Sequence, residues 1–447
     1  MLLYFICYGA GMFFASSAHY YMSGAVIMAA ALGLYVYDYK KSGNLLHMRA
    51  VFSLFWVGGQ GVSCLKLSRL QTDWEPETWA CFFVAFTAFW TIYGMTAKRL
   101  SGKNTRHKRV WRGWKEARQT LMQNAGTSDA DSLFMALFLV TGVSLAAFLL
   151  EAAVLGYIPF LVRGVPHAYS YFHISGVHYF TVSCVLSPSF AVLLFKEKSR
   201  LTLTRKRVAV GLVSISLAIP ILCVSRFQLI FAVLLAVITY MQVSGRQKIR
   251  YLAGAVLCLL PLYIILTIAR SHDIAYLNGI FEMKYEAMPI FITQPYMYIA
   301  NNYDNFNCLV KELPRYTLGV KGLFPLWALT GLKFLRPELA AYPIYTTKEE
   351  LTTVTLFYDA YYDFGIVGVF FFACVLGGVS AWLSQRAHDS ENPLWQLFYA
   401  QAVMYLMLSF FTTWYSNPTT WFYFAVTGTV MLFAEWNKRR RAVIQRS

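Results

Sequence analysis

The sequence predicts an all-α polytopic membrane protein of about twelve spans, and three observations carry that prediction. The chain is 57% apolar and only 14% charged over 447 residues, far from the composition of a soluble domain. Its apolar runs recur at about the length that crosses a bilayer, most of them joined by short connections. Its basic residues crowd into alternate connections, which hold 27 of the 39 lysines and arginines. A net charge of +17 invites a nucleic-acid partner, but this placement points to anionic lipid headgroups instead. Only helices and closed barrels satisfy their backbone groups inside lipid, so the runs read as helices and 1–447 as one integral-membrane domain.

The first run, 2–18, has neither a basic n-region nor a small-residue cleavage site, and reads as a retained span. Run 22–38 follows, and Lys40, Lys41 and Arg49 come after it. Runs 50–66 and 79–95 lead into nine basic residues from Lys98 to Arg118. There Val110, Trp111, Trp114, Ala117 and Leu121 share a helical face opposite the basic residues. That pattern suits a helix lying in the headgroups, so 96–132 reads as a basic cytoplasmic loop with an interfacial helix. Runs 133–152 and 174–195 are followed by six basic residues from Lys196 to Arg207. Runs 208–224 and 227–243 are followed by Arg246, Lys248 and Arg250. After run 251–269 comes the longest polar interruption, and then runs 363–384, 394–413 and 418–434. Arg386 follows the first of these, and a basic tail from Lys438 to Arg446 closes the chain. By the positive-inside rule all these basic connections are cytoplasmic, and both termini lie inside. The segments 19–21, 67–78, 153–173, 225–226, 270–362 and 414–417 then face out. Seven of the eight cysteines lie in or at the edge of apolar runs, with no CxxC pair and no disulfide framework.

The 270–362 connection reads as a large extracytoplasmic loop. From Arg270 to Asp363 the chain carries eight basic and ten acidic residues interleaved with aromatics, as in FITQPYMYIANNYDNFN and LFYDAYYDFG. Disordered segments are poor in aromatics, so a folded, functional loop is expected.

Charge at the membrane boundary is costly to place and marks candidate sites. Arg226 stands in a Ser-Arg turn between two apolar runs, Arg270 ends run 251–269, and Arg315 lies in the loop. A guanidinium fork matches a phosphate or pyrophosphate, and it equally snorkels from a helix end to the interface. Asp304, Asp359 and Asp363 are the candidate carboxylates. Each suits a general base on a sugar hydroxyl or a hydroxyl-binding group, while Asp359 and Asp363 also suit a helix start. Tyr303 and Tyr358 are suited to stacking on sugars, or to an aromatic belt. His272, two residues past Arg270, is a candidate acid–base group beside a bound phosphate, or a solvated loop histidine. His167, His173 and His178 are spaced by six and five residues, which fits no helical face, so no metal site is expected. No nucleotide-binding, nucleophile-elbow or HExxH motif is present.

Three stretches resemble the bacterial oligosaccharide repeat-unit polymerases of the Wzy type, which build O-antigen and capsule. They are VSRFQLIFAVLL around Arg226, IANNYDNF around Asp304, and LTTVTLFYDAYYDFGIVGVFFFACVLG over 351–377. The resemblance implies a GT-C-like helical fold in the bacterial inner membrane and a glycosyltransferase that needs no cofactor. It also implies an undecaprenyl-pyrophosphate-linked glycan as donor and a lipid-linked repeat unit as acceptor. A chain-length regulator protein is the implied partner, and a surface polysaccharide the product. Arg226, Arg270 and Arg315 become the expected pyrophosphate ligands. Asp363, Asp304 and His272 remain candidates for the catalytic base on chemical grounds. A lipid-linked oligosaccharide flippase and an O-antigen ligase-type transferase are the alternatives.

Overall fold

The computed structural model describes residues 1–102, 129–162, 168–196, 201–269, 279–285, 288–390 and 392–444. Residues 103–128 lie outside, and with them most of the expected interfacial helix; so do Arg270, His272 and His167.

The longer helices are, in chain order, α1 (Leu2–Ser16), α2 (Tyr20–Ser42), α3 (Met48–Phe52), α4 (Gly58–Ser63), α5 (Pro76–Gly102), α6 (Asp129–Leu155), α7 (Val177–Val182) and α8 (Ser187–Lys196). They continue as α9 (Leu203–Leu222), α10 (Arg226–Ser244), α11 (Ile249–Ala269), α12 (Ile290–Glu312), α13 (Tyr358–Asp389), α14 (Leu394–Met407) and α15 (Pro418–Ile444). A π turn, Ser53–Val57, joins α3 to α4, and a 3-10 turn, Ser183–Leu186, joins α7 to α8. Each of the twelve apolar runs overlaps helical backbone, and no strand occurs among the described residues. Six helical stretches are long and apolar enough to cross a bilayer: Tyr20–Ser42, Pro76–Ser101, Ala130–Leu155, Val177–Lys196, Arg226–Ser244 and Tyr358–Asp389. The chain therefore has the make-up of a polytopic membrane protein.

The helices gather into two units. The first comprises Met1–His107, Asp273–Gln385 and Tyr405–Thr420; the second comprises Lys108–His272, Arg386–Met404 and Trp421–Ser447.

In the first unit, small residues let helices meet closely, as between lipid-embedded helices generally. A methyl group at Gly24 would stand 2.7 Å from the Gly61 carbonyl oxygen, so α2 and α4 touch backbone to backbone. Between α2 and α3 the buried Arg49 pairs with the buried Asp38 and lies over the Trp90 ring at 4.2 Å. The core is aromatic. Phe52, Trp56, Phe82, Phe86, Phe89, Tyr303 and Phe357 are all buried, with Trp56 and Phe357 ring centroids 4.8 Å apart. The described part of the expected outer loop is built around α12, which drives Tyr303 and Phe306 into this core.

In the second unit α6 is the central helix. It packs against α7, α8 and α9, and the Thr141 and Ser144 hydroxyls bond Ser187 and Ser183 at 2.9 and 3.0 Å. The Tyr423 hydroxyl donates to the Val182 carbonyl at 3.1 Å and fixes the start of α15 against the 3-10 turn.

Candidate functional site

Besides the Asp38–Arg49 pair, three buried carboxylate centres among the described residues carry the polar chemistry. The first is built on α12, whose Asn301, Asn302, Asp304, Asn305 and Asn307 are all buried. Asp304 accepts from the Lys66 ammonium at 2.6 Å, Gln71 at 2.7 Å, the Trp74 indole at 2.9 Å and the Ser63 hydroxyl at 3.0 Å. Lys66 is itself buried, sits in a left-handed backbone conformation, and lies over the Trp74 ring. The asparagines continue the rail. Asn302 donates to the Phe410 carbonyl, Asn305 to the Leu351 and Thr353 carbonyls, and Asn307 accepts from the Glu75 amide and the Thr78 hydroxyl. The IANNYDNFN motif thus lashes the 63–78 and 347–353 segments to one helix. Asp304 is saturated by four donors and sealed from solvent, an anchor and not a base free to take a proton. Tyr303 is fully buried, and its hydroxyl donates to the Trp56 carbonyl at 2.9 Å. It is a core residue with no face for a sugar.

The second centre is the Asp-Phe-Gly sequence near the start of α13. Asp363 accepts from the Thr317 hydroxyl at 2.5 Å and from the Lys321 and Gly322 amides at 3.0 and 2.7 Å. It therefore holds the 317–322 turn in shape. Immediately after it the helix breaks: Phe364 leaves helical geometry and Gly365 takes φ +59°, ψ −148°, which only glycine adopts readily. A methyl group at Gly368 would lie 2.1 Å from the Ala360 carbonyl oxygen, so the two arms of the break close tightly. Beside the break lies a cavity of about 510 Å³. Its wall is mostly apolar, from Phe364, Val367, Phe371, Phe372 and Val375, and Asp363, Tyr415 and Ser416 supply its polar edge. Asp359, one turn earlier, is buried with the Thr413 and Ser416 side chains beside it. Lys321 lies 5.2 Å from the Tyr362 ring and brings positive charge to this cluster. Tyr358 is buried, its hydroxyl bridging the amide and carbonyl of Tyr345 at 2.7 and 3.1 Å. Arg315 is exposed nearby in sequence, two residues before Thr317.

The third centre lies in the second unit and is not among the residues expected from the sequence. Glu151, near the end of α6, has no exposed surface. It accepts from the Ile174 amide at 2.9 Å, the Thr181 hydroxyl at 2.7 Å and the His178 Nδ1 at 3.1 Å. Gly176 at φ +89° turns the chain so that the Ile174 amide and the His178 ring reach the same carboxylate. The His178 side chain is 31% exposed. The sequence does carry a signal for Glu151, a lone carboxylate inside the apolar run FLLEAAVL. It lies inside a run, away from the charged connections between runs. Arg226 belongs to this unit too, at the first position of α10 and 8% exposed. Among the described residues no group of three or more His, Cys, Asp or Glu is arranged to hold a metal ion.

Fold and site together define an all-helical membrane-type chain with buried ionisable groups at several helix ends. Comparison with protein-family models, curated proteins and solved structures found no match.

Proposed function

We propose that the protein is a membrane glycosyltransferase of the oligosaccharide repeat-unit polymerase class. It has a twelve-span, GT-C-like topology in a bacterial inner membrane, with both termini cytoplasmic. The observation that carries this reading is the cavity beside Gly365. It runs along the apolar flank of a helix long enough to span the bilayer, and the Asp363 carboxylate edges it. A polyprenyl-linked sugar has the matching character, a hydrocarbon chain joined to a hydroxyl-rich head. Asp363, Tyr415 and Ser416 supply the polar edge for that head, with Asp359 one helical turn from Asp363. The second unit separately carries Arg226, a permanently charged group at the first turn of a spanning helix, where the helix dipole also favours an anion. Pyrophosphate is the leaving group of the reaction, so charge stabilisation is its chief catalytic need. Arg270 and Arg315 extend the same role on the outer connection.

The test is polymer formation from lipid-linked repeat units by the purified, reconstituted chain. Wild-type protein yields a ladder of lengths. The variant Arg226→Ala, inserted in equal amount, loses it by about 100-fold or more, as expected for a group that stabilises transition-state charge. Normal ladders from that variant rule out the assignment.

One observation favours a second reading. Transporters build substrate sites at broken spanning helices, and α13 is broken beside a cavity. A lipid-linked oligosaccharide flippase would move single units between leaflets and make no ladder. A ligase-type transferase would instead pass finished glycan to a different acceptor.

A further inference from the structure

We infer that His178, held by Glu151, is the general base that activates the acceptor hydroxyl, an assignment that rests on the polymerase reading above. Of the carboxylates considered, Asp304 is closed off by four donors and Asp363 is committed to the 317–322 turn. The Glu151–His178 pair differs from both. The carboxylate is wholly buried and the imidazole opens outward. Glu151 takes Nδ1–H as donor, which fixes the tautomer and leaves the Nε2 lone pair facing away from the carboxylate. That is how an orienting carboxylate prepares a histidine to accept a proton.

The surroundings within the same unit fit the task. Helix α6 ends, α7 begins and α10 begins at one end of the bundle, because successive helices reverse direction. The 3-10 turn Ser183–Leu186 packs against both α6 and α10. Cys223, three residues before Arg226, lies close enough to feel the Glu151 charge. The histidine and the arginine therefore share one end of one unit. By the charge asymmetry of the sequence that end faces out, at the level of a lipid pyrophosphate.

The step balances without a cofactor. His178 Nε2 takes the proton of the acceptor hydroxyl as its oxygen bonds to the anomeric carbon of the donor. The bond from that carbon to the pyrophosphate oxygen breaks, and its electron pair leaves with the pyrophosphate beside Arg226. The imidazolium then releases its proton to water. Glu151 acts through the histidine and is a positioning residue.

The experiment uses the full chain in liposomes with a synthetic polyprenyl-pyrophosphate-linked repeat unit. It compares wild type with His178→Ala, His178→Gln, Glu151→Gln and a double variant carrying both His178→Ala and Glu151→Gln. Both single His178 variants should lower kcat by about 100-fold or more. The acceptor KM should stay within about threefold, and added imidazole should restore part of the His178→Ala rate. Glu151→Gln should lower kcat by about 10-fold, and the double variant should be no slower than His178→Ala alone, because the two act as a unit. A His178→Ala rate above about one third of wild type overturns the assignment and leaves the polymerase reading intact. So does a loss that imidazole cannot repair and that the double variant deepens. Wild-type protein that makes no polymer overturns both.

Discussion

Asp304 and Asp363 are both buried carboxylates in aromatic-rich motifs of the first unit, 1% and 3% exposed, yet they do different work. Asp304 is neutralised by a buried lysine and capped by three further donors, with every neighbour part of the protein. Asp363 is held by uncharged donors, a hydroxyl and two backbone amides, and borders a cavity. Burial alone does not separate a structural carboxylate from one placed for a ligand. What distinguishes them is whether the last side of the group meets protein or open volume.

The comparison is broken most severely by removing Asp304. Asp304→Ala strands the Lys66 ammonium in the core and should destabilise the protein by about 3–5 kcal/mol. Thermal or denaturant unfolding in detergent would check this, and a variant as stable as wild type would refute the anchor role. Next in size is the helix break. Gly365→Ala forces an alanine into a glycine conformation and toward the Tyr316 ring, for a cost of about 1–3 kcal/mol. Asp363→Ala should cost about 1–3 kcal/mol through loss of its three hydrogen bonds. Its polymer yield should fall much further than its folded amount, a split read from ladder intensity against protein recovered from membranes. Val367→Trp sharpens the contrast from the cavity side. It should fill the slot and raise the KM for the lipid-linked donor by about 10-fold, with stability changed by less than about 1.5 kcal/mol.

The effect confined to acid pH is a titration outside the spans. Burial, with Arg49 and Lys41 nearby, lowers the His47 pKa to about 4. The unfolded chain takes up this proton near its ordinary value of about 6.5, while the folded chain resists it until about pH 4, so stability falls as pH drops through that window. Above the upper value the residue costs nothing. His47→Gln should flatten this acid limb in unfolding curves recorded across the window.

Much of the fold was legible because lipid imposes so simple a rule. All twelve apolar runs overlap helices, and 22–38 and 363–384 fall short of the observed ends only where polar residues extend α2 and α13. Run 394–413 shows the limit: α14 stops at Met407, where the Ser409 carbonyl is turned to accept from Leu356. Helix α12 was not legible, because its asparagines and Asp304 look exposed by polarity and are buried by pairing. The partners explain why, since Lys66 lies 238 residues away in sequence from Asp304 and leaves no local trace. Asp363 was found from its motif, but the cavity beside it depends on how α13 folds back at Gly365. Glu151 and His178 are 27 residues apart, and only the turn at Gly176 unites them.

The most direct test of the central claim is to give the reconstituted chain a lipid-linked repeat unit alone and resolve the products by size. The account predicts a ladder of lipid-linked oligomers that disappears with Arg226→Ala. Units that stay single, whether or not they change leaflet, would contradict it.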